Sequence, residues 1–360
     1  MINKFFTFIL YTTVIIFSSC STDDSPKEPI KIVIEGASVS PEVGGPNQQN
    51  QVYIDLSTNT TSSVQRDSWD LGFYSGSNFR VVLNGTIYMA AAKLTETDID
   101  AVNSTSTEVQ DLQPQVAVGT FDAANTAYVD APDGTMSNTA IAEISDVDAN
   151  NNVYLVNLGY KVGTETPATG SVAISGDARG WKKIRILKNG NDYKLQYADL
   201  DATTHKEVSI SKNTDYNFTF FSFDSEDIVN IAPKKEDWDI SFTVFTNEIT
   251  GFGSYGFSDF VVNNTKANAK AYMIDTEIDN SLAYNDFTLA NVVDTNFTND
   301  QRSIGSSWRN GGGPGTLPSL KTNVFYVISD TDGNLYKLQF LALTNEAGER
   351  GYPKFVYSLL

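Results

Sequence analysis

Short runs in which apolar and polar residues alternate, or in which β-branched and aromatic side chains are enriched, recur throughout the chain. Both patterns are typical of β-strands. Turn sequences rich in Asn, Asp and Gly separate the runs, and only residues 99–109 have a pattern that permits a short helix. The pattern therefore predicts an all-β protein of antiparallel strands. The clearest runs are Val52–Leu56, Phe79–Leu83, Val153–Leu158, Trp181–Leu187, Phe218–Phe223 and Val324–Ile328.

Four short sequence matches recur in the same order in the two halves of the chain. The strongest is Trp69–Phe73, which returns as Trp238–Phe242 with the same Trp-Asp pair at its start. We interpret the chain as two tandem copies of one β domain, at residues 51–213 and 214–360. Solenoid repeats are only about 20–50 residues long, so this longer period indicates whole domains. The other matches are Val81–Asn84 with Val261–Asn264, Lys93–Asp100 with Tyr272–Asp279, and Tyr193–Tyr197 with Tyr336–Phe340.

The repeated Trp-Asp pair has a simple structural interpretation. Successive side chains of a strand face opposite ways, so each tryptophan can anchor a core while the next residue points elsewhere. We expect Asp70 and Asp239 to accept backbone N–H groups at a strand end. A catalytic role for the two aspartates is the alternative.

The N-terminus has the pattern of a secretory signal. Lys4 is followed by about 13 mostly apolar residues and then by small residues before Cys20. The cysteine resembles the lipidated residue of bacterial lipoproteins, and residues 21–24 resemble a surface-export tag of Bacteroidetes lipoproteins. We therefore expect a signal peptide at residues 1–19 and a lipidated tether at 20–50, with one strand near Ile30–Ile34. No later segment is long enough to span a membrane.

Composition excludes several classes of function. The chain has 25 Lys+Arg against 44 Asp+Glu, a net charge of −19, which argues against nucleic acid as a partner. One Cys excludes an internal disulfide, and one His excludes a metal site with several imidazoles. No nucleophile elbow, phosphate loop or distinctive carboxylate pair is present. These observations favour a binding protein over an enzyme.

The second copy resembles the HmuY family of heme-binding lipoproteins. The residues that carry this resemblance are Phe220–Phe223, Asp237–Phe242, Trp308 and the closing hairpin Val324–Phe340, and residues 51–213 follow the same plan more loosely. The resemblance implies a lipid-anchored β protein, exposed at the outer membrane, that captures heme and passes it to an outer-membrane receptor. A surface module for glycans, or a structural part of an outer-membrane complex, is the alternative.

The iron ligands of the family have no counterpart here. Heme iron takes axial donors such as His, Met or Tyr, yet the loop after Trp308 contains glycines instead of histidine. Met273 and His205 are therefore the weak candidates for iron, with a core position and an exposed turn as their alternatives. The candidates for contact with a flat ligand, which could equally be packing or loop residues, are Tyr255, Phe257, Tyr272, Met273, Trp308 and Gly312.

Overall fold

The computed structural model describes residues 33–278, 282–313 and 315–360, and there the alternating runs form antiparallel strands. The all-β prediction is confirmed. The strands are β1 (Gly36–Val39), β2 (Asn50–Asp55), β3 (Thr60–Gln65), β4 (Leu71–Tyr74), β5 (Val81–Leu83), β6 (Ala90–Lys93), β7 (Val153–Asn157), β8 (Tyr160–Val162), β9 (Ser175–Ala178), β10 (Trp181–Asn189), β11 (Asp192–Asp199), β12 (Lys206–Ile210), β13 (Phe218–Ser222), β14 (Asp227–Val229), β15 (Ile240–Ile249), β16 (Gly253–Asn263), β17 (Lys270–Asp275), β18 (Arg309–Asn310), β19 (Ser319–Leu320), β20 (Val324–Ser329), β21 (Leu335–Thr344) and β22 (Arg350–Leu359).

Helical structure is limited to short segments. The segment predicted as one helix contains a 3₁₀ turn at Ile99–Ala101 and the start of helix α1, Thr107–Leu112. In the described part of the chain, no helix is long and apolar enough to cross a membrane. The other 3₁₀ turns are Gly45–Asn47, Gly85–Ile87, Ala123–Tyr128, Asp148–Asn150, Thr265–Ala267, Tyr284–Asp286, Leu289–Asn291 and Asp294–Asn296.

The larger sheets pair into two sandwich-like bodies. The first body, residues 66–237, combines the sheet β12-β11-β10-β7-β6 with the sheet β14-β13-β4-β5. The second body consists of residues 33–65 and the described residues after 237. It combines the sheet β1-β22-β21-β20-β17 with the sheet β16-β15-β2-β3. Each body buries its own hydrophobic core, the first around Leu71, Phe73 and Phe221, the second around Ile54, Phe242 and Phe355.

The two sequence copies exchange their first hairpins. Strand β2 of the first copy pairs with β15 of the second, placing Ile54 opposite Ile240. Strand β13 of the second copy pairs with β4 of the first, placing Phe221 opposite Leu71. The predicted boundary between residues 213 and 214 separates two sequence copies, but the sheets do not divide there. Each body therefore contains strands from both copies.

The repeated aspartates hold the exchanged strands, which confirms their predicted role. The backbone N–H of Leu56, just after β2, donates to Asp239 Oδ2 at 2.8 Å. The N–H of Phe223, just after β13, donates to Asp70 Oδ2 at 2.6 Å. Asn84 and Asn264 repeat this symmetry, because the side-chain amide of each donates to the carbonyl oxygen of its copy's tryptophan. The two copies therefore share one local plan.

Part of the predicted tether is folded. Strand β1 lies beside the C-terminal strand β22, with Val39 opposite Phe355, and both Val39 and Val43 are buried in the second core. Apolar side chains in this segment explain why it packs. The signal peptide, Cys20 and residues 30–32 of the expected strand Ile30–Ile34 lie outside the described residues.

The buried Asp239 predicts a pH-dependent stability. Burial raises the pKa of its carboxyl from 3.8 to about 7, although two backbone N–H groups donate to it. Between these values the folded protein holds a proton that the unfolded chain has lost. The free energy of unfolding therefore falls as pH rises, by about 1.4 kcal/mol per pH unit at most. Urea unfolding between pH 5 and 7.5 measures this slope.

The variant Asp239→Asn cannot titrate at this position and should show a flatter pH dependence than the wild type. Asp237→Asn is the matched control, because Asp237 is exposed and two residues away. We expect that control to keep the wild-type slope. Equal slopes in wild type and Asp239→Asn would show that another group causes the effect.

Candidate ligand-binding cavity

A cavity of about 200 Å³ lies where the outer faces of the two four-stranded sheets meet. The repeated tryptophans line it from both copies. Trp69 packs edge-on against Phe220 of β13, with ring centroids 4.9 Å apart, and Trp238 packs in the same way against Tyr53 of β2 at 5.0 Å. The two pairs occupy equivalent positions, so the cavity lies at the centre of the internal symmetry.

The two walls of the cavity differ in polarity. Equivalent positions carry Phe218 and Leu83 in the first body but Gln51 and Asn263 in the second. Strand β15 adds two hydroxyl groups to the second wall, since alternate residues of this strand face the cavity. We call these surfaces the apolar wall, formed by Val82, Leu83, Phe218 and Phe220, and the polar wall, formed by Gln51, Ser241, Thr243 and Asn263.

Buried polar atoms without a protein partner are concentrated on this cavity. Ser241, Asn263, Thr243 and Trp69 are only 1%, 2%, 4% and 6% exposed. Buried polar groups are almost always hydrogen-bonded, and an unmade bond costs about 1–3 kcal/mol. Such a cluster indicates a surface built to bind something. Within the described residues, the unpartnered cavity atoms are Gln51 Oε1, Trp69 Nε1, Trp238 Nε1, Ser241 Oγ, Thr243 Oγ1, Asn263 Nδ2 and Asn263 Oδ1.

A loop of the first copy, residues 129–139, closes one side of the cavity. Asp130 fixes its ends to the first body, because the N–H groups of Leu83 and Ala140 donate to the two carboxyl oxygens at 2.7 and 2.9 Å. Removal from water raises the pKa of this carboxyl to about 6. Gly134, at the loop's tip, adopts a positive φ of 83° that favours glycine.

The second copy holds the same loop from the other side. The Gln301 side chain donates to the carbonyl oxygen of Pro132 at 3.0 Å, and the Lys266 ammonium donates to that of Gly134. Burial lowers the pKa of Lys266, and the carboxylate of Asp133 offsets this only in part. Two side-chain bonds and one backbone bond, from the Gln301 N–H to the carbonyl oxygen of Asp133 at 3.1 Å, therefore join the loop to the second copy.

Two thioethers also line the cavity. Met89 is buried in the first core, shortly after the 3₁₀ turn Gly85–Ile87. Met136 lies in the loop 129–139. Thioether sulfur is a soft donor that heme iron accepts as an axial ligand. No sequence pattern relates Met89 to Met136, since the loop that carries Met136 has no match in the second copy.

None of the residues predicted from the sequence to contact a ligand or its iron lines this cavity. Trp308 is fully buried in the second core, stacked on Phe340 at 4.1 Å. Tyr272 is also buried, and its hydroxyl accepts the N–H of Val293 at 3.1 Å. Gly312 lies in an exposed turn with a φ of 76°, and its neighbour Pro314 is outside the described residues.

The remaining predicted residues lie on separate surfaces. Met273 is 39% exposed on β17. His205 is bound by its neighbours, with Nδ1 3.0 Å from Asp100 Oδ1 and Nε2 3.1 Å from Gln196 Nε2. Tyr255 and Phe257 pack edge-on at 5.9 Å on β16. The structure therefore brings together only Tyr255 with Phe257, and the ligand roles of all these residues stay predictions.

Solved structures with similarity to the chain have low identity. The apo HmuY analog TFO of Tannerella forsythia is 10% identical, covers 91% of this chain and 97% of its own, and has a TM-score of 0.24. A Bacteroides vulgatus protein described as a "HmuY_like heme binding protein" is 9% identical over 90% of this chain and 91% of its own, with a TM-score of 0.23. Apo PinO of Porphyromonas gingivitis is 15% identical over 50% of this chain and 95% of its own, with a TM-score of 0.21.

The sequence comparisons identify the family. No curated protein matches the chain. The family described as HmuY protein matches twice, at residues 47–210 and 213–357, and these two segments cover most of the sequence. They follow the two copies found by self-comparison. The chain belongs to the HmuY family, with two tandem copies of its domain.

Proposed function

We propose that this protein captures a flat, largely apolar ligand in the cavity between its two bodies, and that heme is the first candidate. The observation that carries the proposal is that one cavity is lined by an apolar wall, by two tryptophans and by polar side chains whose buried polar atoms have no protein partner. Concave sites with mostly apolar lining and a few polar groups are typical of small-molecule binding. Membership of the HmuY family, and a relative described as heme binding, support heme as the ligand.

The cavity suits heme in its chemistry more than in its size. Met89 and Met136 offer soft donors for iron, and the aromatic rings offer flat surfaces for a porphyrin. However, the volume of about 200 Å³ is below the roughly 300–1,000 Å³ of pockets that enclose drug-sized ligands. A porphyrin therefore requires the loop 129–139 to move outward.

The proposed capture needs no covalent step. The loop 129–139 opens when the Lys266 side chain and the side chain and backbone N–H of Gln301 release their carbonyl partners, and it closes over the ligand when those bonds form again. The ligand's apolar surface lies against Phe218 and Phe220, and its polar groups meet the polar wall. We further propose that Cys20 anchors the protein by lipid at the outer membrane, where a receptor could take up the captured ligand.

Hemin titration of the purified protein tests this function. We expect a Soret band that differs from that of free hemin, and we expect Met136→Ala to weaken hemin binding by about tenfold or more, since it removes a thioether from the cavity. Met273→Ala and His205→Ala test the two donors predicted from sequence, and both should bind as the wild type does because they lie away from the cavity.

Two outcomes would redirect the proposal. A spectrum identical to that of free hemin would eliminate heme as the ligand. Loss of the shifted band in Met273→Ala or His205→Ala, with Met136→Ala unaffected, would place the heme on the surface predicted from sequence rather than in the cavity.

A further inference from the structure

Among the described lining residues, seven side-chain atoms have no partner: three can only donate a hydrogen bond, two can donate or accept, and two only accept. The indole N–H groups of Trp69 and Trp238 can only donate, and the amide nitrogen of Asn263 is also a donor. The hydroxyls of Ser241 and Thr243 can donate or accept. Gln51 Oε1 and Asn263 Oδ1 are the acceptors of the set. A ligand that satisfies the three donors must therefore supply acceptor atoms, such as oxygens.

The charges at the cavity favour the same kind of ligand. Lys266 supplies the one ammonium group among the described lining residues, and its hydrogen bond goes to a neutral carbonyl oxygen, that of Gly134. Within residues 33–278, 282–313 and 315–360, this ammonium forms no ion pair, and the carboxylate of Asp133 acts on it only from beyond ion-pair distance. The carboxylate of Asp130 also lines the cavity, but both of its oxygens already accept backbone N–H groups.

We propose that the polar wall, together with the two indole N–H groups and Lys266, binds a carboxylate on the edge of a flat ring, whose apolar part rests on Phe218, Phe220 and Leu83. The ligand class is a conjugated or aromatic ring with an acidic edge. Charge-assisted hydrogen bonds to an anion are about twice as strong as neutral ones, so the carboxylate contributes both affinity and orientation. This inference rests on the proposed function only in taking the cavity as the binding site.

The two indole N–H groups provide a direct readout. The chain has four tryptophans, so a ¹⁵N–¹H spectrum of the full protein contains four indole signals, which Trp→Phe variants assign. Naphthalene-2-carboxylate is the probe, and naphthalene-2-carboxamide is its neutral control of similar size and shape. We expect the carboxylate to move the signals of Trp69 and Trp238 downfield, to leave those of Trp181 and Trp308 unchanged, and to bind about tenfold more tightly than the carboxamide.

Variants separate the charge from the polar wall. Lys266→Met should abolish the tenfold preference for the carboxylate, and Lys266→Arg should keep it. Asn263→Leu should weaken both probes because it removes a donor and an acceptor together. If Lys266→Met fails to fold, the comparison of the two probes on the wild type still decides the question.

Each outcome bears on one claim. Equal or tighter binding of the carboxamide would overturn the acidic-edge inference and favour a neutral ligand such as a sugar ring. If hemin binds but the carboxylate probe does not move the Trp69 and Trp238 signals, the inference is overturned and the proposed function is kept. Binding of the carboxylate at these indoles without hemin binding would support the inference and exclude heme. No response to either probe would overturn the inference.

Discussion

A fragment of residues 51–213 is expected to remain unfolded in isolation, although it contains one complete sequence copy. It lacks β13 and β14, so β4 loses the partner that places Phe221 opposite Leu71. Phe221 and Phe223 are also lost from the first core, where both are buried. The fragment keeps the hairpin β2–β3 but not β15, the neighbour that completes its sheet. An unfilled core and two unpaired strand edges leave too little buried surface to offset the entropy of folding.

A fragment of residues 66–237 is the matched control and is expected to fold, because both sheets and the whole core of the first body lie within it. Near-ultraviolet circular dichroism and urea unfolding compare the two. We expect a cooperative transition for 66–237 and none for 51–213. A cooperative transition in 51–213 would show that the hairpins exchange only in the complete chain and that a copy can close on itself.

The sequence predicts the strands and the copies well, but not the exchange. Val52–Leu56 and Phe218–Phe223 are both short runs rich in β-branched or aromatic residues, and this local pattern specifies a strand without specifying its partner. Either hairpin fits the local requirements of either sheet. Pairing is decided by contacts between distant residues, such as that of Leu56 N–H with Asp239, which no local pattern contains.

The candidate site is less predictable for a similar reason. The Trp-Asp motif predicts the aspartate contacts, which are confirmed, but it gives no sign that both tryptophans line one cavity. Lys266 and Gly134 meet only because loops of different copies fold together. Trp308 next to a glycine run suggests an exposed ligand platform, yet Phe340 covers it, because burial depends on the opposite strand rather than on neighbours in sequence.

Asp70→Ala is expected to destabilise the protein by about 3 kcal/mol, the lower end of the range for breaking a buried ion pair, because Arg179 keeps a second carboxylate, that of Asp224, 3.2 Å from its Nη2. Arg179 Nη1 lies 2.5 Å from Asp70 Oδ1, and the two side chains are only 3% and 0% exposed. The N–H of Phe223 loses its acceptor at the same time, which weakens the attachment of β13. Urea unfolding at constant pH measures the loss.

Asp239→Ala is the informative comparison, because Asp239 holds the equivalent strand without an arginine. Its loss leaves the N–H groups of Leu56 and Thr331 unpaired, for which about 1–3 kcal/mol is expected. The difference between the two variants therefore reports the weakened pairing of Arg179, whose remaining carboxylate partner, Asp224, is exposed. Adding Arg179→Met to Asp70→Ala removes the buried charge and should recover part of the stability. No recovery would mean that the lost strand contact, and not the guanidinium left with Asp224 alone, causes the larger effect.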